Sequence, residues 1–400
     1  MAPEQKLKTS PNTTITTIPQ SSKSSETIAD NDDLLREILV KLPLKSLMKF
    51  TSVSKHWLSL ISHPDFNRRR NPFPCSVSGL FLPLFDRSIG NSLEYEFVDL
   101  NQSSNPTNPP FRSLSFTNNP SGMGIKIVHS CNGLLLCSGT EIYVYNPTTK
   151  KYTVLPPLPP PSRFYVGLNL AFDPSNSPYY KVLCVCKIDN CYRIEIYSSK
   201  TGIWRLSGIS FHANNLINFQ RGVFWNGAVH WTCLRKPSLY FNVEEERLSR
   251  MPLPPVSKYD NRVRYLRYFG ESRGHLHLID HFYTFSALQF DVYEMEMDYS
   301  FWFVKFRIDF SEFPTAFPEM VSSYRPDLRL YHFSILYIFR DDVDEESYVV
   351  IRIPGKVVRY NFQSKAFHKL CDIEPSNSTE IPCFLAKRGG HQYIESLALV

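Results

Sequence analysis

No stretch of this sequence is apolar for the roughly 20 residues needed to cross a bilayer, so no membrane span is expected. The opening residues MAPEQKLKTS lack the apolar centre of a secretory leader. Cysteine is present without a framework. Nine cysteines, an odd number at irregular spacing, fit reduced thiols in the cytoplasm or the nucleus and not a disulfide scaffold. An excess of charge is also missing. A net charge of +6 over 400 residues does not demand nucleic acid, and none is expected as a partner. The cluster of Lys41, Lys45, Lys49, Lys55 and Arg68 to Arg70 reads as a solvated helix face. No GxSxG, HExxH, GxGxxG or phosphate-binding loop occurs, so no catalytic residue and no cofactor is assigned. Cys184, Cys186 and Cys191 lack zinc-knuckle spacing, and His275, His277 and His281 stand without an evident carboxylate partner. Both sets are read as ordinary structural side chains, and no metal is expected.

What the chain has first is a dense apolar module, from Asp30 to Phe66. Leu35, Ile38, Leu39 and Leu42 recur at helical spacing. Asp30 or Asn31 can cap this helix, and Asp32 and Asp33 suit its positive end. Pro43 disfavours helical geometry at Leu42 and ends it. A second short set follows at Leu44, Leu47 and Met48. A third, at Val53, Trp57, Leu60 and Ile61, runs to Pro64. Three helices this short cannot bury all these side chains among themselves, and the surplus implies a docking face.

The string LLREILVKLPLKSLMKFTSVSKHWLSLISHPDF resembles an F-box. The family's marks are a leucine-rich first helix, Leu42-Pro43, Ser46-Leu47, Val53 to Trp57, and Leu60-Ile61. Ser54 stands where the family usually has cysteine, and Asp30-Asn31 where it often has Leu-Pro. The resemblance implies docking on a Skp-type adaptor through Leu35, Ile38, Leu42, Pro43, Leu47, Val53, Trp57 and Leu60.

Residues 1–27 are rich in Ser, Thr, Pro and Lys and carry little to bury, so disorder is expected there. The F-box is placed at 28–68, a polar linker at 69–76, and a second domain at 77–400. In that domain aromatics are abundant and strand-like runs alternate with tight polar turns. A pattern of strand, polar turn and strand recurs five times. The first strand of each pair carries Tyr145, Tyr197, Phe241, Tyr293 or Tyr360, at uneven intervals. Uneven repeats of this kind fit a propeller with variable loops. About six blades are expected, closed by Tyr393 to Leu399 pairing with material from 77–84 or 93–100. The run Asp341 to Glu346 reads as a solvated hairpin tip.

Ser130-Cys131-Asn132-Gly133, Tyr145-Asn146-Pro147-Thr148-Thr149, Ala171-Phe172-Asp173-Pro174 and Tyr393-Ile394-Glu395-Ser396-Leu397 are similar to segments of the F-box-associated domain. The repeats lack the double glycine of standard kelch repeats, so the propeller is kelch-like only. The fold class expected is a multidomain α+β chain: a small three-helix F-box, then an all-β, kelch-like propeller. The resemblance implies a non-enzymatic substrate receptor, joined through its adaptor to cullin and RING subunits and recruiting a protein substrate that the sequence does not name. A scaffold outside ubiquitin ligation, or a propeller binding glycans or small ligands, remains open. Deleting residues 1–27 should leave the thermal midpoint within error; a drop of several degrees in calorimetry would show that the segment packs on the body.

Overall fold

The computed structural model describes residues 31–70, 76–84, 94–101, 109–114, 124–160, 165–255, 264–282, 287–321, 330–373 and 389–400. The segment 1–27, and most of the expected linker, lie outside the described residues. The chain divides into two compact units, Met1–Ile61 and Ser62–Val400.

The first unit holds α1 (Asp32–Val40), α2 (Leu44–Phe50) and α3 (Lys55–Ser62). Asn31 caps α1, its side chain accepting from the backbone N–H of Asp33 and of Leu34, both at 3.1 Å. Ser54 caps α3 by accepting from Trp57 N–H at 3.1 Å. His56 on α3 meets Asp32 at the start of α1, 3.0 Å away. A fourth short helix, α4 (Pro64–Arg70), follows in the second unit, where the sequence suggested only a stop and a polar connection. Pro64 ends one helix and opens the next because proline is tolerated at the first helical position.

The second unit is a six-bladed propeller. Its first sheet joins distant parts of the chain: β1 (Gly79–Leu84) lies between β2 (Glu94–Asp99) and β23 (His391–Tyr393). Five four-stranded meanders complete the ring. They are β3 (Lys126–Cys131), β4 (Leu134–Ser138), β5 (Ile142–Asn146) and β6 (Lys151–Val154); then β7 (Tyr165–Ala171), β8 (Lys181–Ile188), β9 (Cys191–Ser198) and β10 (Ile203–Phe211). Next come β11 (Val223–Trp225), β12 (Ala228–Trp231), β13 (Ser238–Asn242) and β14 (Arg247–Met251). After them run β15 (Arg264–Ser272), β16 (His275–Phe282), β17 (Gln289–Met295) and β18 (Trp302–Asp309). The last is β19 (Ser334–Phe339), β20 (Tyr348–Ile353), β21 (Lys356–Asn361) and β22 (Phe367–Asp372). The recurring aromatics Tyr145, Tyr197, Phe241, Tyr293 and Tyr360 all sit on the third strand of a blade, and all are buried.

A blade has two apolar faces and no partner of its own to cover them, so neighbouring blades supply the cover. Leu134, Leu136 and Val144 of one blade pack with Leu168, Leu170 and Val182 of the next. Each such side chain, fully buried, contributes roughly 1.5 to 3 kcal/mol relative to exposure. The polar links between blades repeat as well. Trp204 on β10 donates its indole N–H to the Pro156 carbonyl of the preceding blade at 2.8 Å, and Trp302 on β18 does the same to Pro252 at 3.0 Å. The proline that follows a blade's last strand leaves its carbonyl for the neighbour's tryptophan.

Closure is made at two levels. Gly79, Leu80 and Phe81 on β1 pair antiparallel with Tyr393, Gln392 and His391 on β23. The closing strand is thus earlier and shorter than the expected 393–399. The residues beyond it leave the sheet and are held by side chains. Asn146, fully buried, donates to the Ser396 carbonyl at 3.0 Å and to the Ala398 carbonyl at 2.8 Å. Ser396 N–H donates to Thr148 Oγ1 at 3.2 Å. Gly133 turns the β3–β4 hairpin at φ +90°, and any Cβ there would collide with the Ser396 side chain.

Asn146→Ala should cost about 3 kcal/mol, because it leaves two buried carbonyls without donors. Asn146 also accepts from Thr148 and Thr149 N–H; Asn242 makes the same local turn, accepting from Glu244 and Glu245 N–H, but among the described residues it does not bond the tail. Asn242→Ala should therefore cost about 1 kcal/mol, and equal losses in calorimetry would refute the tail-clamp role. A pH dependence follows from buried imidazoles. Burial lowers His129 and His281 to about 4, and His230 and His391 to about 3. Burial raises two carboxyls, Glu271 to about 7 and Asp280 to about 6. Unfolding between about pH 6 and 5 takes up about four protons on these imidazoles and releases about two from these carboxyls, a net uptake. Stability should fall with acidification through that window. A thermal midpoint that is flat or rises from pH 6 to pH 5 would contradict this assignment.

Candidate functional site

The helical unit divides its apolar residues between an inside and an outside. Leu35 and Leu39 of α1, Leu47 of α2, and Leu60 and Ile61 of α3 are buried. Trp57 is half-buried and meets Phe50 edge-on, with ring centroids 5.2 Å apart. Four large apolar side chains remain outside: Leu34 at 47 % exposure, Ile38 at 45 %, Val53 at 60 % and Leu58 at 42 %. Pro43 is exposed with them, and Leu42 is half-buried. Leu34 and Ile38 stand one turn apart on the outward face of α1. Apolar side chains left open to solvent on adjacent turns form a candidate contact surface.

The eight residues named from the sequence are therefore not equivalent. Ile38, Pro43 and Val53 face solvent, Leu42 and Trp57 are at the boundary, and Leu35, Leu47 and Leu60 lie inside. Leu34 and Leu58 are outward residues that the sequence reading did not name. The signal for Leu34 was available, since it sits four residues before Ile38.

The propeller carries a second feature, a central cavity of about 980 Å³. Residues from the innermost strand of all six sheets line it, among them Val128, Leu168, Phe224, Tyr268, Ile335 and Gln392. Bonds across its wall tie blades together. His129 on β3 donates from Nε2 to the Gly222 carbonyl at 2.8 Å and accepts Leu170 N–H at Nδ1, 3.0 Å away. The accepting nitrogen requires a neutral ring, in keeping with its lowered pKa. Asn169, fully buried, donates to the Phe219 carbonyl and accepts Gly222 N–H, both at 3.0 Å. Sequence alone gave no sign of this cavity, because its wall is assembled from segments more than two hundred residues apart.

Three clusters singled out in the sequence resolve differently. Cys184 and Cys186 share a strand face, with Sγ atoms 3.5 Å apart, and both are buried. The neighbouring thiol, with burial, pushes Cys184 up, which keeps it protonated. His275 and His277 do have a carboxylate, contrary to the expectation. Glu294, on the adjacent strand β17 and directly opposite His277, lies 2.9 Å from His275 Nδ1 and 3.3 Å from His277 Nε2. Burial pushes the Glu294 carboxyl up, but the two histidine bonds outweigh it and hold the group well below its ordinary range. Arg340 Nε adds a third donor at 3.3 Å. Among the described residues no group of three or more His, Cys, Asp or Glu side chains could hold a metal ion. The acidic run is the exposed tip of the β19–β20 hairpin, as expected, and it carries ion pairs as well. Asp341 and Asp342 pair with Arg273, and Asp344 pairs with Lys305, at 2.7 to 2.9 Å. These cations come from the adjoining blade, so the run serves as a blade-to-blade link.

Among the described residues no helix is long and apolar enough to cross a membrane. Comparison with known proteins matches both units. Residues 31–69 match the F-box domain, and residues 90–316 match the F-box associated beta propeller domain. The F-box protein At5g07610 of Arabidopsis thaliana is 37% identical over 411 residues, spanning 95% of this chain and 94% of the relative. The F-box/kelch-repeat protein At3g17530 of the same organism is 27% identical, over 60% of this chain and 65% of its own length. The F-box/kelch-repeat protein At4g19930, also from Arabidopsis thaliana, is 36% identical over 31% of this chain and 30% of its own length. With an F-box followed by a six-bladed ring, and a relative similar along nearly its whole length, this chain belongs to the F-box proteins that carry an F-box-associated β-propeller domain.

Proposed function

We propose that this protein is the substrate-recognition subunit of a Skp–cullin–F-box ubiquitin ligase. The helical unit docks on the Skp-type adaptor, and the adaptor connects it to the cullin and RING subunits. The propeller holds a target protein so that a target lysine meets the charged ubiquitin-conjugating enzyme. The chain contributes proximity, which raises effective concentration, and no catalytic group of its own. The observation that carries this reading is the outward apolar set of Leu34, Ile38, Pro43, Val53 and Leu58 on a segment matching the F-box domain.

The eight adaptor residues then divide by role. Ile38, Pro43 and Val53, with Leu42 and Trp57 at the boundary, supply contact. Leu35, Leu47 and Leu60 hold the helices that present them. Interfaces concentrate their energy in a few such anchors, each often worth about 2 kcal/mol on truncation. The double change Ile38→Ala with Pro43→Ala should weaken binding to a purified Skp-type adaptor about a hundredfold while leaving helix content unchanged, for a loss on the order of 3 kcal/mol. Leu35→Ala should instead lower helix content and stability. No binding of the wild-type chain at micromolar concentration would overturn the F-box assignment. Full-strength binding by the double variant would overturn the residue assignment alone. Assembly with adaptor, cullin and RING into a complex that charges no bound target with ubiquitin would favour a scaffold role over ligation.

A further inference from the structure

The thiols of this chain differ in what surrounds them. Among the described residues seven cysteines are free, and five of them, Cys131, Cys137, Cys184, Cys186 and Cys233, are buried. Cys191 and Cys371 reach the surface in part. These two sit in opposite surroundings. Burial, with the carboxylates of Glu96 and Asp372 nearby, pushes the Cys371 thiol up to about 11, which keeps it protonated and a poor nucleophile. Cys191 has a base beside it instead.

Strand register makes that pairing. β8 and β9 form a hairpin through the two-residue turn Asp189-Asn190, with Ile188 opposite Cys191. β10 runs back along β9, with Ser210 opposite Arg193 and Phe211 opposite Tyr192. One step further, His212 comes opposite Cys191. The turn orients its imidazole, since Nδ1 lies 3.0 Å from the Asn190 carbonyl. A carbonyl only accepts, so in the neutral ring Nδ1 carries the proton and Nε2 keeps a lone pair. Nε2 is also the nitrogen nearer to Cys191 Sγ, at 3.7 Å against 3.9 Å for Nδ1. A thiol, an imidazole and a group that orients the imidazole are the parts of an activated sulfur nucleophile. His212 is exposed and Cys191 half-buried, so the pair is open to solvent. Arg193, also exposed, stands two residues along β9 on the same face as Cys191. The charges from residue 187 to residue 193 are Lys187, Asp189 and Arg193, a positive balance.

We propose that Cys191 is a site of reversible exchange with a small anionic disulfide of the oxidised-glutathione class, with His212 as its base. Cys191 Sγ attacks one sulfur of the disulfide while His212 Nε2 takes the thiol proton. A bond forms between Cys191 and one glutathione, the original S–S bond breaks, and the second glutathione leaves as a thiol with that proton. Cys191 is oxidised and the departing glutathione is reduced, so no other oxidant is needed. Free glutathione reverses the step. The local cations match the carboxylates of the reagent. Tyr165, the first residue of β7, pairs with Cys186 near the end of β8. The hairpin therefore lies at the end of the propeller where the inner strand β7 begins. The adduct adds a negatively charged tripeptide to that end and leaves the core untouched.

The test incubates the reduced full-length chain with oxidised glutathione near neutral pH and follows each cysteine separately by peptide mass. Cys191 should form the mixed disulfide about tenfold faster or more than Cys371. His212→Ala should slow Cys191 by a similar factor and leave Cys371 and the thermal midpoint unchanged. His212→Gln, which keeps bulk and an N–H donor but no base, should slow it as much; a normal rate in that variant would overturn the base role. Arg193→Ala should slow exchange with oxidised glutathione and not with the uncharged 2-hydroxyethyl disulfide. Equal effects on the two reagents would overturn the anionic class. No adduct at Cys191, or reaction at Cys371 just as fast, would overturn the site.

Discussion

Everything in the propeller depends on one junction, the contact that turns an open row of blades into a ring. Three residue pairs between β1 and β23 make the sheet, and Asn146 fastens the tail beyond it. Without that junction two blades would expose an apolar face and a strand edge, the arrangement that invites aggregation. The cavity depends on it as well. His391 and Gln392 form part of the cavity wall, and Gln392 N–H bonds to Ser130 Oγ on the neighbouring inner strand at 2.9 Å. A ring that fails to close has no mouth to present.

The helical unit works under the opposite constraint. A few short helices offer too little interior for their leucines, so some must stay wet until a partner covers them. The division is local and physical. Leu35 and Leu39 face inward, and Leu34 and Ile38 face outward one residue away on the same helix. Polar caps at Asn31 and Ser54 carry part of the helix stability that the small core does not. Stability here and stickiness there are thus set by neighbouring positions.

Periodicity made much of this legible in the sequence. The helical spacing of Leu35 and Leu39 marks α1, and the recurring aromatics mark the third strand of five blades, because burial on one face leaves a repeating trace. Ser130 to Gly133 and Asn146 to Thr149 stood out as motifs, and the structure gives their reason: they hold the residues after β23. What stayed hidden has no local trace. The cavity joins Lys126, Arg221 and Arg267, which only ring closure brings around one axis. Glu294 looked unrelated to His275 and His277 because blade register, not sequence distance, sets them together. The acidic run is solvated as its composition suggested, but its ion pairs were hidden because Arg273 and Lys305 lie on the previous blade. The split of the residues proposed for adaptor docking into inner and outer sets was also hidden, since a helical period finds a face without saying which side of it is covered.

The placement of the closing strand has a consequence for the order of events during synthesis. Residues 391–398 complete the ring, and they leave the ribosome 328 residues after Arg70. At translation rates of about 5 to 20 residues per second that interval is tens of seconds. The F-box segment is out and able to form its local helices throughout, while the blades wait unclosed. If the F-box docks as proposed, an adaptor can engage the chain before its ring exists, and a limiting adaptor pool would be partly occupied by nascent chains whose propeller is still open.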